Sequence, residues 1–243
     1  MRGRQAAGVA VLLLVAAAGL LLYYLPTTTR PVRGPRPEAE RPTLMLLTTL
    51  PLVFPEHFKL DAPASPALKA LESRYHLLPI SVADAAELDH RQLLLMAQPQ
   101  AQPAEALVDL DAWVRAGGRV LLLADPALEW PSDRPLGSLL RPPFAFADTG
   151  LLAHWGLRLD APDHQGPAEV NVDRLRLSTR SPGKLVATSH ACSIESGGFV
   201  ARCRIGSGEA TVIADADFLN IATAADGQAN LDVLLNELDR LEH

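Results

Sequence analysis

An uninterrupted apolar run near the amino terminus, residues 6–25, constrains this chain more than any other feature. It spells AAGVAVLLLVAAAGLLLYYL, without a charge or a strongly polar group. A helix of this length rises about 30 Å, which is the thickness of the hydrocarbon core of a bilayer. Tyr23 and Tyr24 stand at one end of the run, where amphipathic rings favour the headgroup boundary. The run therefore predicts a single membrane anchor.

A cleavable secretory signal is the alternative, since Arg2 and Arg4 precede the run. However, the run is longer than a signal core of about 7–15 residues, and no small-x-small cleavage pattern follows it. Pro26 stands where such a pattern is expected. These features favour a retained anchor. Arginines flank the run on both sides, so the positive-inside rule alone does not orient it.

The chain's two cysteines provide an orientation. Gly197 and Gly198 predict a two-residue hairpin turn, because glycine readily takes the positive φ that such turns need. Counting outward from that turn pairs Cys192 with Cys203 across the two strands. Cross-strand neighbours lie within disulfide reach, and disulfides persist in oxidising compartments. The pattern predicts a disulfide, with residues 1–5 in the cytoplasm and the main domain outside it. Two reduced, buried cysteines are the alternative.

The stretch after the apolar run, residues 26–42, is rich in proline and arginine and has almost no apolar side chains. This composition is typical of an extended, solvated linker. The rest of the chain, 43–243, is long enough for one domain with a sizeable core. Because the formal net charge is −6, nucleic acid is not an expected partner.

Alternating strand and helix patterns predict an α/β domain. Two continuous apolar segments, 92–97 and 119–124, fit strands that are covered on both faces. Between them, apolar residues recur at helical spacing from Ala106 to Val114, and Pro103 stands where a first helical turn tolerates it. Strand, helix and strand at this spacing predict a βαβ crossover, which implies a parallel sheet.

The second half of the domain has a different pattern. Short alternating segments within 168–205 favour antiparallel strands, and the apolar segment 210–214 favours one more core strand. A leucine stripe then predicts a closing helix, for which Asn230 is a candidate N-cap. Together the patterns predict an α/β sandwich with an antiparallel hairpin extension.

Three segments carry a resemblance to a known family: AEALVDLDAWVRAGGRVLLLADP at 104–126, IADADF at 213–218 and LLTTLPL at 46–52. They resemble the periplasmic domain of gliding-motility-type auxiliary proteins of ABC transporters, a non-catalytic branch of the class I glutamine amidotransferase-like fold. The resemblance covers roughly residues 43–240 in pieces. It implies a three-layer sandwich around a mostly parallel sheet. It also implies an ABC permease and an ATPase as partners.

The resemblance allows a test for catalysis. True amidotransferases carry a nucleophilic cysteine on the sharp turn after one core strand, and a base must activate its thiol. Here that turn is Ala124-Asp125-Pro126, without cysteine or serine. The two cysteines lie far along the chain, and no His-x-Glu pair follows a late strand. We therefore expect amidotransferase chemistry to be absent.

Acidic residues follow two of the predicted core strands. Asp125 follows one strand, and Asp215 and Asp217 follow another, with Asn220 close behind. Ligands of open parallel sheets bind outside the carboxyl ends of the strands, so these four residues are candidates to line one shallow ligand site. Carboxylates in such a site bind a cation or act as acid and base. The alternative is that they cap turns and helices.

Signals for cofactors are missing from the sequence. The seven histidines are scattered without ligand spacing, and no glycine pattern for a dinucleotide or a phosphate occurs. We expect no metal and no cofactor. The sequence thus predicts a non-enzymatic accessory subunit of an ABC-type transport system in the cell inner membrane, with a periplasmic domain that binds a partner protein or ligand. A membrane-tethered hydrolase that uses the clustered aspartates is the alternative.

Overall fold

The computed structural model describes residues 34–53, 56, 64–138, 140–220 and 227–243. The predicted cytoplasmic stretch, 1–5, and the predicted anchor, 6–25, lie outside these residues, as does the first part of the predicted linker. Within the described part of the chain, no helix combines the length and the apolar character that crossing a bilayer requires.

Eleven strands and five α-helices occur in the described residues. The strands are β1 Thr43–Thr48, β2 His76–Pro79, β3 Leu93–Ala97, β4 Arg119–Leu123, β5 Leu157–Asp160, β6 Pro167–Val172, β7 Leu175–Arg180, β8 Lys184–Ala187, β9 Cys192–Glu195, β10 Val200–Ile205 and β11 Gly208–Ile213. The helices are α1 Pro66–Glu72, α2 Ala85–Leu88, α3 Ala104–Arg115, α4 Leu151–His154 and α5 Gly227–Leu241.

A seven-stranded sheet lies at the centre, in the order β2-β1-β3-β4-β11-β10-β9. The pairs β1–β2, β1–β3, β3–β4 and β4–β11 are parallel. Strand β10 is antiparallel to both of its neighbours, β11 and β9. Helix α3 joins β3 to β4, and their register pairs Leu93 with Arg119. The predicted βαβ crossover, the mostly parallel sheet and the antiparallel extension are therefore confirmed.

Successive side chains of the sheet enter two separate cores, one on each face. Along β1, Leu44 and Leu46 belong to the core that contains α1 and α5. Met45 and Leu47 belong to the core that contains α2, α3 and α4. All four side chains are buried. Because a strand alternates its faces and both faces are covered here, the strand sequences are continuous apolar runs.

Two small antiparallel sheets, β5 with β8 and β6 with β7, extend the domain. Asn230 fastens β7 to α5, because its Nδ2 donates to the carbonyl oxygens of Ser178 and Phe218, both at 2.8 Å. Its Oδ1 accepts the backbone N–H of Ser178 at 2.9 Å. The prediction that Asn230 caps the closing helix is wrong, since α5 begins at Gly227 and Asn230 lies inside it.

The cysteine hairpin has the predicted register. Strands β9 and β10 place Cys192 opposite Cys203, and the two residues form a disulfide. Between the strands, Gly197 and Gly198 have φ angles of 69° and 105°. Residues with a Cβ rarely adopt such angles, which explains why two glycines stand at this bend. The disulfide prediction is confirmed.

The end of the predicted linker is folded onto the domain. The Arg36 guanidinium lies 2.7 Å from a carboxylate oxygen of Glu242 and 3.4 Å from one of Asp239. It also lies over the ring of Tyr75, 5.2 Å from the centroid. Arg36 thus contacts the domain from within the stretch that composition predicts to be a linker. The composition is uninformative here because the carboxylate partners are more than 200 positions away along the chain.

Candidate functional site

The order of the strands reverses beside β1. The chain passes from β1 to β2 on one side and then to β3 on the other side of β1. At such a reversal the connections leave in opposite directions, which opens a crevice outside the carboxyl ends of the strands. Open α/β sheets bind their ligands in that crevice.

A cleft of about 570 Å³ occupies this position, and we call it the switch-point cleft. Its volume falls within the range of about 300–1,000 Å³ that is usual for ligand pockets. The segments that follow β1, β2 and β3 contribute to its lining, together with the loop 126–150. Most of the described lining is aliphatic or proline, including Leu50, Pro51, Val53, Ile80, Pro131 and Pro142.

Several polar groups in the lining are engaged with the backbone. The Thr48 hydroxyl donates to the carbonyl oxygen of Ala97 at 2.8 Å. The Gln102 Oε1 accepts the backbone N–H of Ala83 at 3.0 Å. Because these bonds hold together the ends of neighbouring strands and loops, they shape the cleft rather than supply it with open hydrogen-bonding groups.

The two charged residues in the described lining, Glu56 and Arg134, neutralise each other. Their side chains form an ion pair at 3.4 Å, and the Arg134 Nη2 donates to the Glu56 carbonyl oxygen at 3.1 Å. The Ser132 hydroxyl donates to the Glu56 carboxylate at 2.5 Å, and this hydrogen bond lowers the pKa of Glu56. The lining thus carries balanced charge.

Gln98 joins the segments that follow β3 and β4. It follows β3 at a φ of 45° and is fully buried. Its Nε2 donates to the carbonyl oxygens of Asp125 and Pro143, both at 3.1 Å, and its Oε1 accepts the Asp125 N–H at 3.0 Å. The Thr49 hydroxyl donates to the Gln98 carbonyl oxygen. A left-handed conformation at a residue other than glycine persists only where the surroundings enforce it, and here the ends of three strands do so.

Asp125 is buried in the turn that follows β4. Its Oδ1 accepts the N–H of Ala127 at 2.8 Å, and its Oδ2 accepts the N–H of Ala216 at 2.9 Å. Burial raises the pKa of the Asp125 carboxyl to about 6. The side chain joins the turn after β4 to the turn after β11, as a capping residue does.

Asp215 lies in the second of these turns and is fully buried. Its Oδ1 accepts the Thr179 hydroxyl at 2.6 Å and the Phe218 N–H at 3.0 Å. Among the described residues, its Oδ2 has no hydrogen-bond partner. Burial raises the pKa of the Asp215 carboxyl well above its usual range, and the nearby charge of Asp125 raises it further. A buried carboxylate oxygen without a partner is costly to ionise, which is why burial raises the pKa of this carboxyl.

Asp217 holds the loop that crosses above these turns. Its Oδ2 accepts the N–H of Glu129 at 2.7 Å. Burial raises the pKa of the Asp217 carboxyl to about 7. Asn220 comes next along the chain, and its backbone N–H donates to the Asp217 carbonyl oxygen at 2.8 Å.

The structure thus brings Asp125, Asp215 and Asp217 together beneath the loops. None of the three, nor Asn220, belongs to the lining of the switch-point cleft. The carboxylates of Asp125, Asp215 and Asp217 accept backbone N–H groups of the turns and loops around them, and Asp215 also accepts the Thr179 hydroxyl of β7. In the described part of the chain, no group of three or more potential ligands has an arrangement that could hold a metal ion.

Comparisons with known proteins identify a fold and no family. No protein-family model and no curated protein matches the chain. Among solved structures, the mmIFT52 N-terminal domain is 12% identical, with a TM-score of 0.52 over 83% of this chain and 97% of that one. Cytoplasmic Protein STM1381 from Salmonella typhimurium LT2 is 10% identical, with a TM-score of 0.52 over 82% of this chain and 99% of that one.

Glycosidases also resemble this chain in structure. The exo-beta-1,4-mannosidase Op5Man5 from Opitutaceae bacterium strain TAV5 is 14% identical, with a TM-score of 0.47 over 81% of this chain and 35% of that one. The chain spans about a third of the length of the glycosidases it matches. The two structures with TM-scores of 0.52 show a shared α/β fold and say nothing about function at these identities, and the glycosidases carry no argument.

Proposed function

We propose that this chain is a non-enzymatic, membrane-anchored accessory subunit of an ABC-type transport system. Residues 6–25 span the inner membrane, and the α/β domain stands in the periplasm. The domain is a three-layer sandwich of the class I glutamine amidotransferase-like kind, and it binds a partner protein or ligand. The partners are the ABC permease and ATPase that the sequence resemblance implies.

The turn after β4 is the observation that carries this proposal. In the amidotransferase-like fold that turn holds the nucleophile, whereas here it is Ala124-Asp125-Pro126. Ala124 is fully buried, and both carboxylate oxygens of Asp125 accept backbone N–H groups. A nucleophile needs a reactive atom that reaches the substrate and a base that activates it. Neither Ala124 nor Asp125 offers such an atom.

The disulfide supports an extracytoplasmic domain. Cys192 and Cys203 are paired in a hairpin, and structural disulfides are characteristic of oxidising compartments. The switch-point cleft supports a binding role. It lies at the crevice where open α/β sheets hold ligands, and its charged lining residues are paired with each other instead of being directed at a substrate.

Extraction of the tagged full chain from its own membranes in mild detergent tests the proposal. We expect an ABC ATPase and a permease to co-elute with it in constant ratio. A variant in which residues 6–25 are replaced by an unrelated spanning segment is the matched control, because it separates contacts of the span from contacts of the domain. Recovery of the chain alone would contradict the proposal.

A membrane-tethered hydrolase is the second candidate. Two observations favour it: the pKa of Asp217 is raised to about 7 by burial, and the Asp215 Oδ2 has no partner among the described residues. Raised carboxyl pKa values of this kind suit a general acid. If this candidate holds, Asp217→Asn abolishes hydrolysis of p-nitrophenyl ester substrates while the thermal midpoint stays within about 2 °C. Loss of stability without any hydrolysis in the natural chain favours the capping role.

A further inference from the structure

The outer edge of β2 carries backbone groups that no described strand pairs with. Strand β2 is the first in the sheet order, and β1 is its only neighbour among the strands described. The N–H groups of His76 and Ile80 donate toward β1, to the carbonyl oxygens of Pro42 and Leu46, at 2.9 Å and 3.0 Å. Successive residues of a strand point their backbone groups to opposite sides. Within β2, the backbone groups of Leu77 and Pro79 therefore face the outer side.

This edge leads directly into the switch-point cleft. Pro79, Ile80 and Ser81, at the end of β2, are part of its lining. Leu140 also lines the cleft, and the residue is 69% exposed. Leu140 thus continues the apolar surface of the cleft out to solvent.

The chemistry of the lining narrows the choice of occupant. Most of the described lining side chains are aliphatic or proline, so the surface that they offer is apolar. Within the described lining, the charges of Glu56 and Arg134 balance each other. An uncharged, aliphatic occupant suits this lining. The outward-facing backbone groups of β2 can bond to another polypeptide backbone, which an acyl chain does not offer.

We propose that the outer edge of β2 and the switch-point cleft together dock an extended aliphatic segment of a partner protein, which adds to the sheet as a further strand. This inference rests on the accessory role proposed above and names the chemistry of the partner. Strand addition takes its affinity from main-chain hydrogen bonds and its specificity from pockets for alternate side chains. Pro79 has no N–H, so the ladder at that residue uses its carbonyl oxygen only.

Fluorescence anisotropy with a labelled peptide tests the inference. The probe is a heptapeptide in which leucine and valine alternate with serine, added to the full chain in lipid nanodiscs, with empty nanodiscs as the blank. We expect saturable binding that Leu140→Asp weakens at least about tenfold. The reason is that the leucine, which the bound peptide would bury, is exchanged for a carboxylate. Val108→Asp is the matched control, since Val108 is 68% exposed on α3 and lies outside the lining. It should leave binding unchanged.

Two further probes identify the occupant. An all-serine heptapeptide should not bind, and a probe that is N-methylated at alternate residues should bind about tenfold more weakly, because it cannot donate to the edge of β2. Equal binding by Leu140→Asp overturns the proposal. Displacement of the probe by octanoate, at the same concentration at which unlabelled peptide displaces it, also overturns the proposal. A third refuting result is a dimer of the chain that Leu140→Asp abolishes.

The proposal and the accessory role fail in different ways. If the probe does not bind while the ATPase and permease still co-purify, this docking site is wrong and the accessory role stands. If the probe binds as expected while the chain purifies alone, the docking site stands and the accessory role is wrong.

Discussion

Removal of the Cys192–Cys203 disulfide allows a quantitative prediction. The bridge closes a loop with a sequence separation of 11. In the chain-entropy description, a cross-link of that span lowers the entropy of the unfolded chain by about 9 cal/mol/K, which stabilises the fold by about 3 kcal/mol at 25 °C. For a domain of this size, that corresponds to a thermal midpoint about 6–12 °C lower once the bridge is lost.

The assay compares the natural chain with a Cys192→Ala, Cys203→Ala double variant in urea unfolding. Alanine is chosen because both positions are buried in the core on that face of the sheet, where a serine hydroxyl would need a partner. The natural chain in a reducing buffer is the internal control. Its free energy of unfolding should fall close to that of the double variant, since neither chain has the cross-link.

Two results would refute this reasoning. One is a natural chain whose unfolding midpoint is the same with and without reductant. The other is a mass spectrum, after alkylation of protein taken from its own cell envelope, with two modified thiols. The second result would also remove the support that the disulfide gives to an extracytoplasmic domain.

Three further predictions concern stability. Arg36→Gln should lower the free energy of unfolding by about 2 kcal/mol in urea, because two largely buried carboxylates, Asp239 and Glu242, lose the guanidinium as a partner. Arg41→Gln is the control and should lower it by less than about 1 kcal/mol. Burial raises the pKa of Asp217 to about 7, so the stability contributed by its protonated carboxyl is fully present below about pH 4 and is lost as pH rises through about 7. In urea unfolding, the free energy of unfolding of Asp217→Asn should therefore rise relative to that of the natural chain across this interval. Parallel pH profiles would contradict this assignment. In the same assay, Gly208→Ala should destabilise the fold by about 2–3 kcal/mol, because the added methyl group meets backbone oxygens of Val114 in α3 and of Gly118 in the turn that follows. Gly34→Ala is the control and should be neutral, since a methyl group at that position meets no described atom within 4 Å.

Local signals made much of the fold predictable from sequence. The apolar segments 92–97 and 119–124 are continuous because both faces of β3 and β4 are covered, and the amphipathic stretch between them can bury its apolar face only as a crossover helix. The hairpin register was predictable because Gly197 and Gly198 fix the turn, and the turn then dictates every cross-strand pair.

Interactions between distant segments were not predictable in this way. Arg36 stands in a stretch with the composition of a linker, yet its partners lie on and just after α5, at the other end of the chain. Asn230 has the residue type of an N-cap, but tertiary bonds to Ser178 and Phe218 hold it inside the helix. In both cases the long-range partner decides the structure, and a local pattern does not contain it.

The candidate site illustrates the same limit. From sequence, the rule that ligands bind at the carboxyl ends of parallel strands predicts a site at Asp125, Asp215 and Asp217, and these residues do follow such strands. The rule also requires the strand order, because the crevice opens only where that order reverses, and here the reversal lies between β1 and β3. The lining of the cleft comes from separate segments that share no motif, so only their assembly reveals it.

The stoichiometry of the complex extracted from native membranes tests the central claim most directly. Quantitative mass spectrometry of the tagged full chain should find an ABC permease and its ATPase at a fixed ratio to the chain, and the ratio should persist after a high-salt wash. A chain that emerges as a solitary species, with no transporter subunit above the level of an untagged control, would contradict the account.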